Sequence, residues 1–324
     1  MLIKILKPVN KLLPEGLRLS LLPYYRRFLP SLRNIMFFPT FQCNYNCAYC
    51  LFKRFVPAQL CVSSYSAEEW IRVFEHFPAS SVIITGGEPL IYPDITGLIE
   101  NFPRKHLISS LVTNLSVNID RLFRLKRRES RIMASFHPSM VTKEAFLANL
   151  QALKDNGFKN VTINFVAYPP YLKEIACLKE YFEGPTGFYF RVDTFKDPGY
   201  NYSADELSLV REYKKKGLIA QDRTEGYCFD DFSKKICKAG SKFIALTQNG
   251  NAYSCVEGLY YSEFAPYKDK HNKIDNFYLG NVFKGDFKFL DKDKLCHSGC
   301  AELCDIELAG VRSARGREGE KAAR

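Results

Sequence analysis

The feature that most constrains this chain is an alternation of strand, loop and helix beginning near residue 35. Runs rich in β-branched and apolar residues at 35–41, 81–85, 107–113, 131–136, 160–166 and 187–193 predict strands. Between them, Ala67–Phe77, Ile95–Phe102, Asn118–Arg127, Lys143–Asn156 and Leu172–Tyr181 predict helices. In the fourth of these, Phe146, Leu147, Leu150 and Leu153 recur at helical spacing and Asn156-Gly157 supplies a stop. Six strands alternating with helices require parallel pairing through right-handed crossovers. The expected fold is α/β: a partial (β/α)6 TIM-like barrel.

In parallel barrels, chemistry gathers where the strands end. Cys43 follows the first strand, Gly86, Gly87 and Glu88 the second, Thr113-Asn114 ends the third and Ser135-Phe136-His137 the fourth. Arg191-Val192-Asp193 lies toward the end of the sixth. All five sets belong on one face. His137, Arg191 and Asp193 are the candidate catalytic residues, although Phe136-His137-Pro138 also reads as a turn with a solvated imidazole.

Directly after the first strand stands Cys43-Asn44-Tyr45-Asn46-Cys47-Ala48-Tyr49-Cys50. Three thiolates at this spacing converge on one inorganic centre if the backbone loops around it. A structural zinc site wants four ligands, and the next cysteine is Cys61. Three thiolates and a vacant position suit a [4Fe–4S] cluster with one open iron, with zinc or three unrelated buried cysteines as alternatives. After the second strand comes Gly86-Gly87-Glu88-Pro89, which as a plain strand-to-helix turn would need its glycines and proline but not its glutamate.

Together the C-x3-C-x-aromatic-C loop and the G-G-E-P turn resemble the radical S-adenosylmethionine (SAM) superfamily, over roughly the first two thirds of the chain. The resemblance implies that Cys43, Cys47 and Cys50 hold the cluster and that its open iron binds the amino and carboxylate groups of SAM. Gly86, Gly87, Glu88 and Pro89 would hold the methionine amino group, Tyr49 would pack near the adenine, and Asn114 and Ser135 would line the SAM site. The family's SAM-carboxylate arginine has no counterpart: between Ser135 and Phe165 the cations are Lys143, Lys154 and Lys159. Cleavage of SAM to methionine and a 5′-deoxyadenosyl radical, fed by a flavodoxin- or ferredoxin-like electron donor, is the implied chemistry.

Net charge excludes a nucleic-acid face. The chain carries +11, but residues 1–34 hold seven Lys/Arg against one Glu and residues 311–324 five against two, so the body is nearly neutral. The segment 1–34 is a basic, proline-rich lead-in. Leu2, Ile5, Leu6 and Val9 share a helical face that could touch a membrane or a partner, yet Pro8, Pro14, Pro23 and Pro30 keep each helical piece short and favour packing against the barrel. Charge and proline break the opening residues before a signal sequence can form, and no run of about 18 apolar residues exists. Eleven cysteines without a secretory signal read as metal or redox sites in a cytoplasmic protein.

The barrel is expected over 35–225, closing with a helix at Ala204–Lys216 behind the N-cap Ser203. Residues 226–309 read as a separate cysteine-rich module, and 310–324 as a disordered basic tail. Asn249-Gly250 between two strand-like runs is a hairpin signal. Cys237-x12-Gly250-x4-Cys255 resembles the opening of the SPASM and twitch extensions of radical SAM enzymes, which implies an auxiliary iron–sulfur cluster. Its further ligands would come from Cys296, Cys300 and Cys304, with Cys228 as another candidate. Six cysteines in 228–304 suffice for one fully thiolate-ligated cluster, not two. On a continuous helix Cys296 and Cys304 would stand about 12 Å apart, so either Gly299 breaks the helix or one of the three does not bind. A four-thiolate zinc knuckle is the alternative. Cys61 and Cys177 are expected to be small buried residues.

Peptide-modifying relatives often carry a leader-binding domain ahead of the cysteine loop, and the 42 residues before Cys43 are short for one. The expectation is therefore a small-molecule substrate such as a sugar or aminocyclitol. The other readings are a peptide maturase and a non-catalytic iron–sulfur or zinc scaffold.

Overall fold

The computed structural model describes residues 33–56, 61–128, 130–184, 186–195, 200–219, 235–263, 277–296 and 312–313. Six parallel strands form the body: β1 (Arg33–Thr40), β2 (Ser80–Gly86), β3 (Leu107–Thr113), β4 (Arg131–Ser135), β5 (Val161–Ala167) and β6 (Tyr189–Thr194). The helices are α1 (Leu51–Phe55), α2 (Ala67–His76), α3 (Ile95–Glu100), α4 (Asp120–Phe123), α5 (Lys143–Asp155), α6 (Ile175–Glu183), α7 (Ala204–Lys215) and α8 (Val256–Glu263). Among the described residues no helix is long and apolar enough to cross a membrane.

The alternation works because one face of each strand and one stripe of each helix are apolar. On β1, Phe37 meets Trp70 and Phe74 of α2 edge-on, with ring centroids 4.7 and 5.3 Å apart. On β5 and β6, Phe165 and Phe190 point the same way, and Phe182 of α6 stacks on Phe190. Ser66 starts α2 with a reciprocal cap: its hydroxyl accepts from the Glu69 N–H while the Glu69 carboxylate accepts from the Ser66 N–H.

Two expected helices differ. Asn118–Arg127 contracts to α4, because Asn118 adopts φ +53° at its start and arginine side chains satisfy the backbone beyond its end. Arg128 donates to the carbonyls of Phe123, Leu125 and Asn156, and Arg127 to those of Ile99 and Phe102. The stretch from Leu172 opens earlier, as a 3-10 turn over Pro169–Glu174 that leads into α6.

Beyond α7 the chain extends the same sheet. After β7 (Lys235–Cys237) come β8 (Phe243–Leu246), β9 (Asn251–Tyr253) and β10 (Tyr278–Asn281), and the strand order is β10-β9-β8-β1-β2-β3-β4-β5-β6. Asn249-Gly250 does turn β8 into β9, with Gly250 at φ +83°. A substituent there would press on Phe283, 2.5 Å from an ideal Cβ. β8 lies parallel to β1, Asn34 opposite Phe243.

A small second sheet pairs β7 with β11 (Lys294–Cys296) and β12 (Arg312–Ser313). Cys296 therefore sits on a strand, opposite Lys235, and the helical spacing expected from Cys296 onward does not apply to it. Cys228, Cys300 and Cys304 lie outside the described residues. Cys61 is half-buried and Cys177 exposed, so neither is the core residue expected.

Candidate active site

The cysteine loop is fixed at its root by backbone bonds. The N–H groups of Phe41 and Gln42 both donate to the Cys61 carbonyl, at 2.9 and 3.2 Å. From the other side the turn after β2 docks on the same strand end: Gly87 N–H donates to Thr40 O at 3.0 Å and Glu88 N–H to Gln42 O at 2.7 Å. This contact explains the paired glycines. An ideal Cβ on Gly86 would lie 2.2 Å from Thr40 O, and one on Gly87 2.1 Å from Gln42 O, and Gly86 also adopts φ +140°. Any side chain would push the turn off the loop.

Cys43, Cys47 and Cys50 open on one cavity of about 240 Å³. Its opposite wall is Gly86, Gly87, Asn114 and Ser135, and Tyr49 and His137 close one side. The three thiols are free. Burial pushes Cys43 upward and Cys47 up to about 12, and the neighbouring cysteines add to the rise at both. Three thiolates here need positive charge between them. Among the described residues no three Cys, His, Asp or Glu side chains converge as the ligands of a single ion would. Sulfur donors around a cavity, rather than meeting at a point, fit the body of a cluster.

Glu88 and Pro89 are buried behind the cavity wall. The Glu88 carboxylate accepts three hydrogen bonds: from Leu90 N–H at 2.9 Å, Thr113 Oγ1 at 2.7 Å and Asn114 N–H at 2.6 Å. It ties the end of β2 to the end of β3. Burial nevertheless pushes its carboxyl up to about 7, against the pull of those donors.

The His137 imidazole is not a solvated turn residue. Its Nδ1 lies 2.6 Å from Tyr49 Oη, and burial brings it down to about 4, so it is neutral at pH 7. Burial raises Tyr49, which keeps its proton. Both partners are neutral, and the tautomer of the imidazole sets which of Oη and Nδ1 donates in this bond. Tyr168 packs on the other side of Tyr49, centroids 4.9 Å apart.

Arg191 and Asp193 pair with each other at 2.8 Å on β6 and do not line this cavity. Arg191 instead borders a groove of about 340 Å³ with Arg131, Asn160, Thr162 and Tyr189. The register connects the two places: Ser135 is opposite Asn164, and Asn164 is opposite Arg191.

Sequence reasoning missed three residues here. Asn44 and Ser116 form hydrogen bonds around Asn114, and Lys53 lines the cavity. The position of Lys53, three residues after the last cysteine of the loop, was the available signal.

Cys237 and Cys255, 3% and 4% exposed, lie elsewhere. They belong to a second apolar core with Phe38, Phe41, Phe243 and Tyr253. Their sulfurs accept from the N–H groups of Ala239 and Gly258, at 3.3 and 3.2 Å.

The sequence model of the Radical SAM superfamily matches residues 37–176. Residues 37–176, which hold the cysteine loop and the Gly-Gly-Glu-Pro turn, are thus similar to a radical SAM domain. The GTP 3′,8-cyclase of Aquifex aeolicus is 26% identical, over 67% of this chain and 79% of that protein. The GTP 3′,8-cyclase of Xanthomonas campestris is 27% identical, and the match covers 56% of this chain and 59% of that enzyme. Among solved structures, Streptococcus suis SuiB bound to S-adenosylmethionine superposes with TM-score 0.55 at 17% identity, over 78% of this chain and 64% of SuiB. Native anSMEcpe with bound AdoMet gives 0.51 at 16%, over 85% and 84%. These likenesses establish the open, mostly parallel α/β sheet of a partial TIM barrel.

Proposed function

We propose that the protein is a radical SAM enzyme acting on a small molecule, with one auxiliary cluster in a twitch-like C-terminal module. The observation that carries the reading is the single cavity shared by Cys43, Cys47, Cys50 and the Gly86-Gly87 turn. A [4Fe–4S] cluster bound there would supply the electron that cleaves SAM to methionine and a 5′-deoxyadenosyl radical. The chain's own residues bind and orient. The Gly86-Gly87 backbone, brought against the loop by the absence of side chains, presents carbonyls to the methionine amino group. Glu88 supports this from behind rather than reaching into the cavity. Lys53, which among the described residues is the one Lys or Arg on the cavity wall, takes the SAM carboxylate in place of the missing arginine. Tyr49, held by His137, offers its ring to the adenine.

The auxiliary cluster is assigned to Cys237 and Cys255, with the β7–β11 register bringing Cys296 two positions along the neighbouring strand from Cys237. In a dehydrogenation it would accept the second electron. A flavodoxin or ferredoxin is the expected donor to the chain.

Two features favour a small anionic substrate over a peptide. The curated relatives are named for a reaction on GTP, and a groove toward the amino ends of β4–β6 is bordered by Arg131 and by Arg191, itself paired with Asp193. Anaerobically reconstituted, reduced protein should convert SAM to 5′-deoxyadenosine and methionine, slowly without substrate and faster with it. Screening nucleoside phosphates, sugar phosphates and peptides for that acceleration tests the substrate class. Acceleration by peptides alone would overturn the small-molecule reading.

A further inference from the structure

We propose that the side-chain amide of Asn114 donates a hydrogen bond to the cluster-holding thiolate of Cys43, with Glu88 fixing its aim, and so raises the reduction potential of the site cluster. The inference rests on the radical SAM reading of Cys43 and goes beyond it, because it gives Asn114 a role that does not involve SAM.

The orientation of the amide is set by its partners. Asn114 is 5% exposed at the end of β3, and its Oδ1 accepts from the backbone N–H of Ser116 at 3.0 Å and from Ser116 Oγ at 2.6 Å. A backbone N–H only donates, so the oxygen must face Ser116 and the NH2 group the opposite way. On that side Nδ2 lies 3.1 Å from Asn44 Oδ1 and 3.7 Å from Cys43 Sγ. Two hydrogens meet two acceptors. Asn44 closes the ring by donating its own Nδ2 to Ser116 Oγ at 2.7 Å.

The amide is also held from behind. The backbone N–H of Asn114 donates to Glu88 Oε2 and the Thr113 hydroxyl to Glu88 Oε1. A continuous line of hydrogen bonds thus runs from the buried glutamate of the Gly-Gly-Glu-Pro turn, through the end of β3, to the first sulfur of the loop. Cys43 Sγ receives a further donor, the Tyr45 N–H at 3.4 Å. A donor on a ligating sulfur stabilises the reduced, more negative cluster more than the oxidised one, which raises its potential.

The test is an EPR-monitored redox titration of the anaerobically reconstituted full chain without SAM, wild type against Asn114→Leu. The variant should hold wild-type iron but be harder to reduce, by threefold to tenfold in the equilibrium constant, or about 30–60 mV for one electron. Wild-type protein exchanged into D2O should show a deuteron coupled to the cluster by ENDOR that the variant lacks. If Asn114→Leu fails to assemble, Asn114→Ala, which also removes the donor, carries the same two measurements. An unchanged SAM-free midpoint at full iron content overturns the inference, even if SAM binding weakens. Wild-type protein that assembles no cluster on Cys43, Cys47 and Cys50 overturns the radical SAM reading itself, and the inference with it.

Discussion

The two cysteine sites stand at opposite ends of β1 and are built on opposite principles. Cys43, Cys47 and Cys50 follow its carboxyl end, border a cavity, and are held by polar groups: the Gly87 and Glu88 N–H groups on the Thr40 and Gln42 carbonyls, the Asn44–Asn114–Ser116 ring and the Tyr49–His137 bond. Cys237 and Cys255 flank the β8–β9 hairpin near the amino end of β1, sealed among phenylalanines and tyrosines. A centre that must exchange a ligand needs room and fixed polar donors on one side. One that passes electrons or braces the fold gains from an apolar shell that excludes water. Under the proposed function, the first site has the room that SAM chemistry needs and the second the seal that a closed centre needs.

The largest expected effect would break the comparison outright. Cys43→Ala/Cys47→Ala/Cys50→Ala should abolish 5′-deoxyadenosine formation, measured by chromatography under reducing, oxygen-free conditions. Product above a no-enzyme control would remove the open site from the chemistry. The second variant works from the other end. Wild type should bind close to eight irons, two [4Fe–4S] clusters, and the triple variant about four. Adding Cys237→Ser and Cys255→Ser to the triple variant should leave almost none. Four irons with one tightly held zinc in the wild type would turn the closed site into a zinc knuckle.

The contrast between these sites was only half legible in the sequence. Local rules gave the frame: β3 begins and ends where its apolar run does, and Asn249-Gly250 turned the chain as such pairs do. The close approach of the Gly86-Gly87 turn to Thr40 and Gln42 pairs strands that are 40 residues apart, and no local pattern encodes it. The same holds for Glu88, whose partners Thr113 and Asn114 lie on another strand. The spacing argument for a continuous helix does not reach Cys296, which pairs with β7 on a strand, a partner that no local pattern names. The hairpin was legible as a hairpin, but not its docking against β1, since a free edge on β1 leaves no mark in the strand's own residues.

Glu88 sharpens the comparison through pH. Its carboxyl, buried behind the open site, is raised from 4.5 to about 7. A raised folded-state value means the protonated form contributes stability in full below the unfolded value and loses it as pH climbs through about 7. Chelator-treated wild type should therefore lose stability relative to Glu88→Gln, which cannot titrate, between about pH 4.5 and 7, by up to about 3 kcal/mol. Urea titrations of both proteins across that range give the difference. A flat difference would mean that the three donors outweigh burial.

The smallest effect expected belongs to Lys53, and it separates ligand binding from cluster binding at the open site. Its ammonium is exposed at the cavity wall, so water screens its attraction for a carboxylate. Lys53→Met keeps the length of the side chain and removes the charge. SAM affinity should fall about fivefold, about 1 kcal/mol, while iron content and the SAM-free EPR signal stay at wild-type values because the thiolates are untouched. Raising the salt concentration should weaken SAM binding to the wild type more than to the variant, since the lost interaction is ionic. Equal affinities at low salt would return the carboxylate to another partner. A loss of iron in Lys53→Met would instead show that this lysine stabilises the loop that carries Cys50, three residues before it.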